Sequence, residues 1–199
     1  AVAASLHEII CRQPKREPLY TLDDAETALA HLAGHEYYRP FPVAPGITAT
    51  FHDAGHILGS AIVRLDITED GQERSVVFSG DLGRPHLPII RDPETVPDID
   101  TLIIESTYGN RLHDEVANVT QIMADLLKGA HARRGKVLIP SFAVGRTQEV
   151  VTVLKGLFES GRVPRMPVYV DSPLAVDVTQ VFREHDECFD LETLALLRD

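Results

Sequence analysis

Two short strings carry residue types that do chemistry. Phe51 to Ala61 reads FHDAGHILGSA, with His52 and His56 among small and apolar residues and Gly59-Ser60 directly behind. Phe78 to Arg84 reads FSGDLGR, which sets Asp81 close between Gly80 and Gly83 after an apolar run. Neutral imidazole and carboxylate are the ligand set of zinc and similar divalent ions. The neighbouring glycines permit sharp turns, so His56 and Asp81 can each project from the end of a strand. Plainer readings stand beside this one: a histidine in an apolar stretch is commonly a satisfied core residue, and Gly-Asp-Leu-Gly can be a simple turn. His52 lies four residues before His56. In a strand-and-turn context that spacing does not bring the two to one face, so His52 is expected as an ordinary exposed strand residue.

The totals bound what these strings can serve. The chain has 199 residues, 44% of them hydrophobic, enough for a core in one large domain or two small ones. No apolar run approaches the roughly 20 residues of a membrane span. The opening AVAASLHEII lacks a basic n-region and an initiator Met, which reads as no signal peptide and as a processed chain or an excerpt. Cys11 and Cys188 show neither CxxC nor CxxH spacing, so no disulfide framework or cysteine zinc site is expected, and a reduced, cytoplasmic setting is. A net charge of −11 argues against non-specific coating of nucleic acid. It leaves a nuclease open, because carboxylates that hold cations count as negative in the bare sequence. The one short basic cluster, HARRGK at His131 to Lys136, fits the end of a helix.

The elements that must position the two strings follow from periodicity. Pro14 to Pro18 reads as an exposed connection. The stretch from Thr21 predicts a helix with Thr21 as N-cap and Gly34 near the stop. Strands are predicted in GITATFHDA, SAIVRLDIT and RSVVFSG, with a turn at Glu69-Asp70-Gly71, and again in DIDTLIIES, whose continuous apolar run suggests two covered faces. After about Val116 the pattern becomes helix, strand, loop, helix, strand, helix, which implies parallel βαβ units. A β-rich first part and an α/β second part meet near residues 110–118.

The strings DAGHILGSA, FSGDLGR, ESTYGNR, IPSFAVGRTQE and VYVDSPLA occur in that order, and together they resemble the metallo-β-lactamase-fold RNA nucleases that carry a β-CASP domain. The similarity is to the bacterial and archaeal stand-alone members, relatives of ribonuclease J and of the pre-mRNA 3′-end cleavage endonuclease, and it spans Pro18 to Asp190. It implies an α/β fold: a partial metallo-β-lactamase αββα sandwich in residues 1–117, then part of a Rossmann-like, parallel-sheet β-CASP domain in 118–199. It implies His56 as a zinc ligand, Asp81 as the carboxylate bridging two divalent ions, and Glu105 as the catalytic-site acid that supports the metal centre from behind. Glu105 also closes an apolar strand, where only a partnered acid is tolerated.

The departures are equally specific. The HxHxDH motif that supplies most metal ligands in the family is absent, and His7, His31, His35, His86 and His113 do not have its spacing. Two further histidine motifs of the family lie well beyond the VDSPLA region. The expectation is therefore the middle of a protein about twice as long, and a chain inactive by itself, since a catalytic zinc keeps at least three protein ligands. In the parent enzyme, two cations about 3.5–4 Å apart would activate water and stabilise in-line displacement at a phosphodiester.

The second part offers the substrate surface. At two strand-to-helix junctions, 141–146 and 171–173, backbone N–H groups and hydroxyls face the end of a parallel sheet, an arrangement that favours phosphate. Ser141, Arg146 and Ser172 are the substrate-binding candidates, Arg146 through a bidentate contact. Against this, Ser141 can be a helix N-cap and Arg146 an ion-pair partner of Glu149. GRTQE has neither nucleotide-loop spacing. Arg84 and Arg111 follow the metal and acid strings closely and can line the same cleft.

Three readings result. The first is an RNA-processing or RNA-degrading, zinc-dependent hydrolase, with RNA as partner and a homodimer open to it. The second is a catalytically inactive β-CASP paralogue that binds RNA as a scaffold. The third, a small-phosphoester or thioester hydrolase of the same fold, is disfavoured by the β-CASP strings.

Overall fold

A computed structural model describes residues 19–112 and 116–198. His7, Cys11, the whole Pro14–Pro18 connection and His113 lie outside the described residues. The chain divides into two compact units, 1–36 and 37–199.

The first unit carries helix α1, Leu22–Leu29. Its start is the predicted one. Thr21 accepts from the Asp24 amide, and Asp24 returns a bond to the Thr21 amide, a capping box that satisfies amides a helix start leaves orphaned. The helix stops at the Ala30 cap, well short of Gly34.

In the second unit, strands β1 (Phe41–Ala44), β2 (Ile47–Asp53), β3 (Ala61–Glu69), β4 (Gln72–Phe78) and β5 (Thr101–Ile103) form one sheet in sequence order. The first four are antiparallel neighbours and β5 joins β4 in parallel. Asp70 and Gly71, both at positive φ, make the tight β3–β4 turn where it was expected. The β2–β3 hairpin is different: Asp53 pairs with Ala61, so Ala54 to Ser60, the string that holds His56, is its loop.

Helices α2 (Val116–Ala132), α3 (Arg146–Glu159), α4 (Pro173–Glu184) and α5 (Leu191–Arg198) follow. Three apolar clusters hold the unit together. One joins α2 and α3 through Ala124, Leu127, Leu154 and Leu157. A second places Val77 and Ile62 of the sheet against Ala54, with Leu82 and Ile99 packed on them. The third unites Ile89 and Ile90 with Phe182 of α4 and Phe189, and Leu58 of the hairpin loop packs on it.

The fold is α/β, as read from the sequence, and differs in detail. The strand foreseen over Asp98 to Ser106 is only Thr101–Ile103, an edge strand with Leu102 and Ile103 half exposed. Val137–Ile139 and Val168–Val170, foreseen as parallel strands, are not hydrogen-bonded into the described sheet, and Leu138 and Tyr169 are largely exposed. Apolar runs express a demand for burial, whereas a strand also needs a neighbour at its edge to complete a ladder.

Candidate metal and substrate site

The hairpin loop that bears His56 is built by its own small residues. The Ser60 hydroxyl accepts from the amides of His56 and Ile57, and the Ser60 amide returns to the Ile57 carbonyl. A serine that bonds amides three and four residues back closes the loop without help from a strand. His56 itself remains exposed.

The Asp81 loop lies directly against it. The Gly83 amide donates to the Ala54 carbonyl at 2.8 Å. A Cβ on Gly83 would fall 1.6 Å from the Gly55 carbonyl oxygen and 2.8 Å from the His56 nitrogen, so only glycine admits this approach. Gly55 is confined in turn: φ is +62°, and a Cβ there would meet the Pro93 nitrogen at 2.5 Å. The backbones of the two candidate ligand loops are thus in contact, and both His56 and Asp81 face solvent.

Glu105 ties the second loop down. Its carboxylate accepts from the Leu82 amide at 2.7 Å, one residue after Asp81, while its own amide donates to Ser79 Oγ at 3.0 Å. The Thr107 hydroxyl and that Leu82 amide hold the Glu105 carboxyl below the ordinary glutamate range against the opposing effect of desolvation, and His56 adds a smaller attraction. The loops that bear His56 and Asp81 and the carboxylate of Glu105, spread over 50 residues of sequence, therefore lie side by side.

The start of α3 closes on the same loop. Gly145, at φ +77°, is the N-cap, and a Cβ on it would sit 3.0 Å from Ile57 Cγ2, beside His56. Arg146 is the first residue of that helix, and its guanidinium pairs with Glu149 at 2.7 Å, the ion pair foreseen as its plainer role. Ser141 is exposed and does not cap α3. The cap is found one junction later: Ser172 accepts from the Ala175 amide at 3.2 Å ahead of Pro173, which suits the first helical turn. The two junctions are linked by buried Gln148, whose amide nitrogen reaches the Ala175 carbonyl and Thr179 Oγ1.

Sequence reading missed a polar cluster behind the His56 loop. Asp53, at the end of β2 and almost fully buried, accepts from the Tyr38 hydroxyl at 2.5 Å and from Arg91 at 3.3 Å. Arg91 also donates to the Glu187 carbonyl. Burial first, and then Asp53, push the Tyr38 phenol up to about 12. His52 pairs with Glu94 at 3.1 Å and lies edge-on to Tyr38, so it belongs to this cluster and not to the exposed loop. The signal that could have found it is Asp53 itself, an acid that closes an expected strand just before Ala54-Gly55.

As a metal site the arrangement fits in kind and falls short in number. An imidazole and a carboxylate stand on touching loops, the chemistry a zinc-like ion prefers. Among the described residues no group of three or more His, Cys, Asp or Glu side chains could hold a metal ion. Also among the described residues, no helix is long and apolar enough to cross a membrane.

An α/β chain with glycine-locked histidine and aspartate loops beside an acid that follows a strand points to a class. Residues 147–198 match the Beta-Casp domain, and the mixed α/β architecture is consistent with the metallo-β-lactamase/β-CASP proteins that the sequence resembles. Among individual proteins, it is similar to Ribonuclease TTHA0252 of Thermus thermophilus, 37% identical over 166 residues that cover 83% of this chain and 37% of that protein. It is 35% identical over 184 residues to Transcription termination factor FttA of Methanosarcina mazei, covering 90% of this chain and 28% of that protein. An RNase J-like protein of Methanocaldococcus jannaschii is 33% identical over 173 residues, or 83% of this chain and 39% of that protein. The chain thus spans well under half the length of these relatives.

Proposed function

We propose that the full-length protein containing this chain hydrolyses phosphodiester bonds of RNA with two divalent metal ions, most simply zinc, and that this chain contributes part of the site. His56 and Asp81 would hold metal, and Glu105 would fix the loop that presents Asp81. Bound cations would supply an activated water and offset the charge that develops on the phosphate. The chain's own residues orient the substrate. Ser172 has its oxygen engaged by Ala175, which leaves its hydroxyl proton to donate to a phosphate oxygen. Ser141 is open to solvent at the other junction. Arg146 exchanges its Glu149 partner for phosphate, a swap between two charge-assisted bonds at a half-exposed position.

The observation that carries this reading is the contact of Gly55 with Gly83, which brings together two loops that bear metal-ligand chemistry. The ribonuclease names of two relatives support RNA as the substrate class. With only two donors in hand, this chain alone would be inactive. Residues 1–117 would belong to the metallo-β-lactamase part and 118–199 to the β-CASP part, in a cytoplasmic protein able to form homodimers.

The test is metal content and cleavage of single-stranded RNA by the full-length protein and by its His56→Ala and Asp81→Asn variants. Both variants should lose bound metal and cleavage together. An Asp81→Asn protein that keeps its metal and cleaves normally ends the proposal. Tight RNA binding without cleavage by the unmodified protein would instead favour the scaffold reading.

A further inference from the structure

We infer that Tyr108 and Arg111 form a stacking platform for one unpaired nucleobase at the rim of the candidate site. The inference rests on the RNA reading of that site and adds a subsite to it. The ESTYGNR string turns back on itself just after Glu105: the Gly109 amide bonds the Ser106 carbonyl, and the Arg111 amide bonds the Tyr108 carbonyl. This turn brings the Arg111 guanidinium over the Tyr108 ring, 4.2 Å from its centroid. That distance is well inside the range of a cation–π contact.

Three features point to a base as the occupant. First, the pair is stacked yet exposed. Tyr108 retains 46% of its surface in contact with solvent, and Arg111 is exposed as well, so a planar ligand can extend the stack. Second, the platform is close to the chemistry. Tyr108 lies three residues from Glu105, no more than about 10 Å along an extended chain, and Glu105 grips the residue next to Asp81. Third, the local chemistry is of the right kind. An aromatic face accepts any base, and a guanidinium beside it attracts the phosphate that follows. Duplex bases are already stacked on each other and have no free face to offer. The platform therefore selects a single strand and presents its backbone to the cleft.

The test measures the affinity of the full-length protein for a short single-stranded RNA by fluorescence anisotropy, in an Asp81→Asn background that halts hydrolysis under the proposed function. One set of oligonucleotides carries a single abasic position moved along the strand. A second set of measurements adds Tyr108→Ala or Tyr108→Trp to the protein. One abasic position should weaken binding by about 5- to 150-fold, the range for loss of one stacked base. Tyr108→Ala should lose a similar factor and become indifferent to that abasic position, Tyr108→Trp should retain affinity, and duplex RNA should not distinguish the three proteins. If the protein binds RNA but no abasic position costs more than about twofold, or Tyr108→Ala binds as tightly as its parent, the platform is overturned and the RNA reading survives. If the protein with Tyr108 intact binds no RNA, either in the Asp81→Asn background or with Asp81 unchanged, both fall. The abasic scan needs no substitution at Tyr108, so a misfolded alanine variant leaves the question decidable.

Discussion

Gly83→Ala is the sharpest test of how the two candidate ligand loops are held. An alanine Cβ would stand 1.6 Å from the Gly55 carbonyl oxygen, 2.1 Å from its carbon and 2.8 Å from the His56 nitrogen. Real Cβ contacts essentially never fall below 3.0 Å, so the loops must part by at least 3.0 − 1.6 = 1.4 Å. The atoms in the way are backbone and cannot rotate aside. The same movement stretches the Gly83–Ala54 hydrogen bond from 2.8 Å, which costs about 1 kcal/mol, and overpacking adds about 1–3 kcal/mol. Metal sites tolerate deviations of only about 0.2 Å in ligand distance. Under the proposed function, a displacement several times that should abolish shared metal binding in the full-length protein even where it still folds. The assay is chemical denaturation together with metal content of the full-length protein, with Gly34→Ala as the silent control because nothing lies within 4 Å of its Cβ. Gly83→Ala should lose about 2–4 kcal/mol of stability and most of its metal. A Gly83→Ala protein that unfolds at the control's midpoint and retains full metal would refute the proposed contact.

Three other outcomes follow from the same coordinates. Asp53→Asn leaves Tyr38 and Arg91 facing a neutral group at a nearly buried position, and should lower stability by about 2–3 kcal/mol in denaturant titration. The folded-state pKa of Glu105 is depressed from its free value of 4.5, so its anchoring of Leu82 is complete above that pH and is lost as pH falls through the lower folded value. The protection factor of the Leu82 amide, its exchange rate relative to the intrinsic rate at each pH, should fall across that acid range in the wild type, whereas in Glu105→Gln it should be low and unchanged with pH. Gly156→Ala, inside α3 with nothing within 4 Å, should stabilise the chain by about 0.5–1 kcal/mol, read as a higher thermal midpoint.

Local chemistry was readable in the sequence where a residue acts on its near neighbours. Thr21 caps α1, Asp70-Gly71 turns β3 into β4, and helix α2 begins at the expected Val116. Strand pairing was less legible. Val137–Ile139 has the composition of a buried strand, but composition does not name a partner. Strand β1 escaped notice because Pro42 and Pro45 mask a four-residue ladder to β2. At the site, His56, Asp81 and Glu105 could be chosen by type and by family resemblance. What joins them could not, since the Gly55–Gly83 approach and the Leu82–Glu105 bond link residues more than 20 positions apart. Ser172 shows the same limit: the sequence placed a hydroxyl at each junction, and only the backbone reveals that it, and not Ser141, begins a helix.

The cluster that packs Leu58, Ile89 and Ile90 against Phe182 and Phe189 has a practical bearing on how the molecule can be dissected. A recombinant fragment that stops before α2 would strip the aromatic lid from the hairpin loop, and one that starts there would leave two phenylalanines wet. Either half should come out of expression insoluble or as a loosely ordered globule. Mapping of individual activities is better served by point substitutions in the intact chain than by truncation.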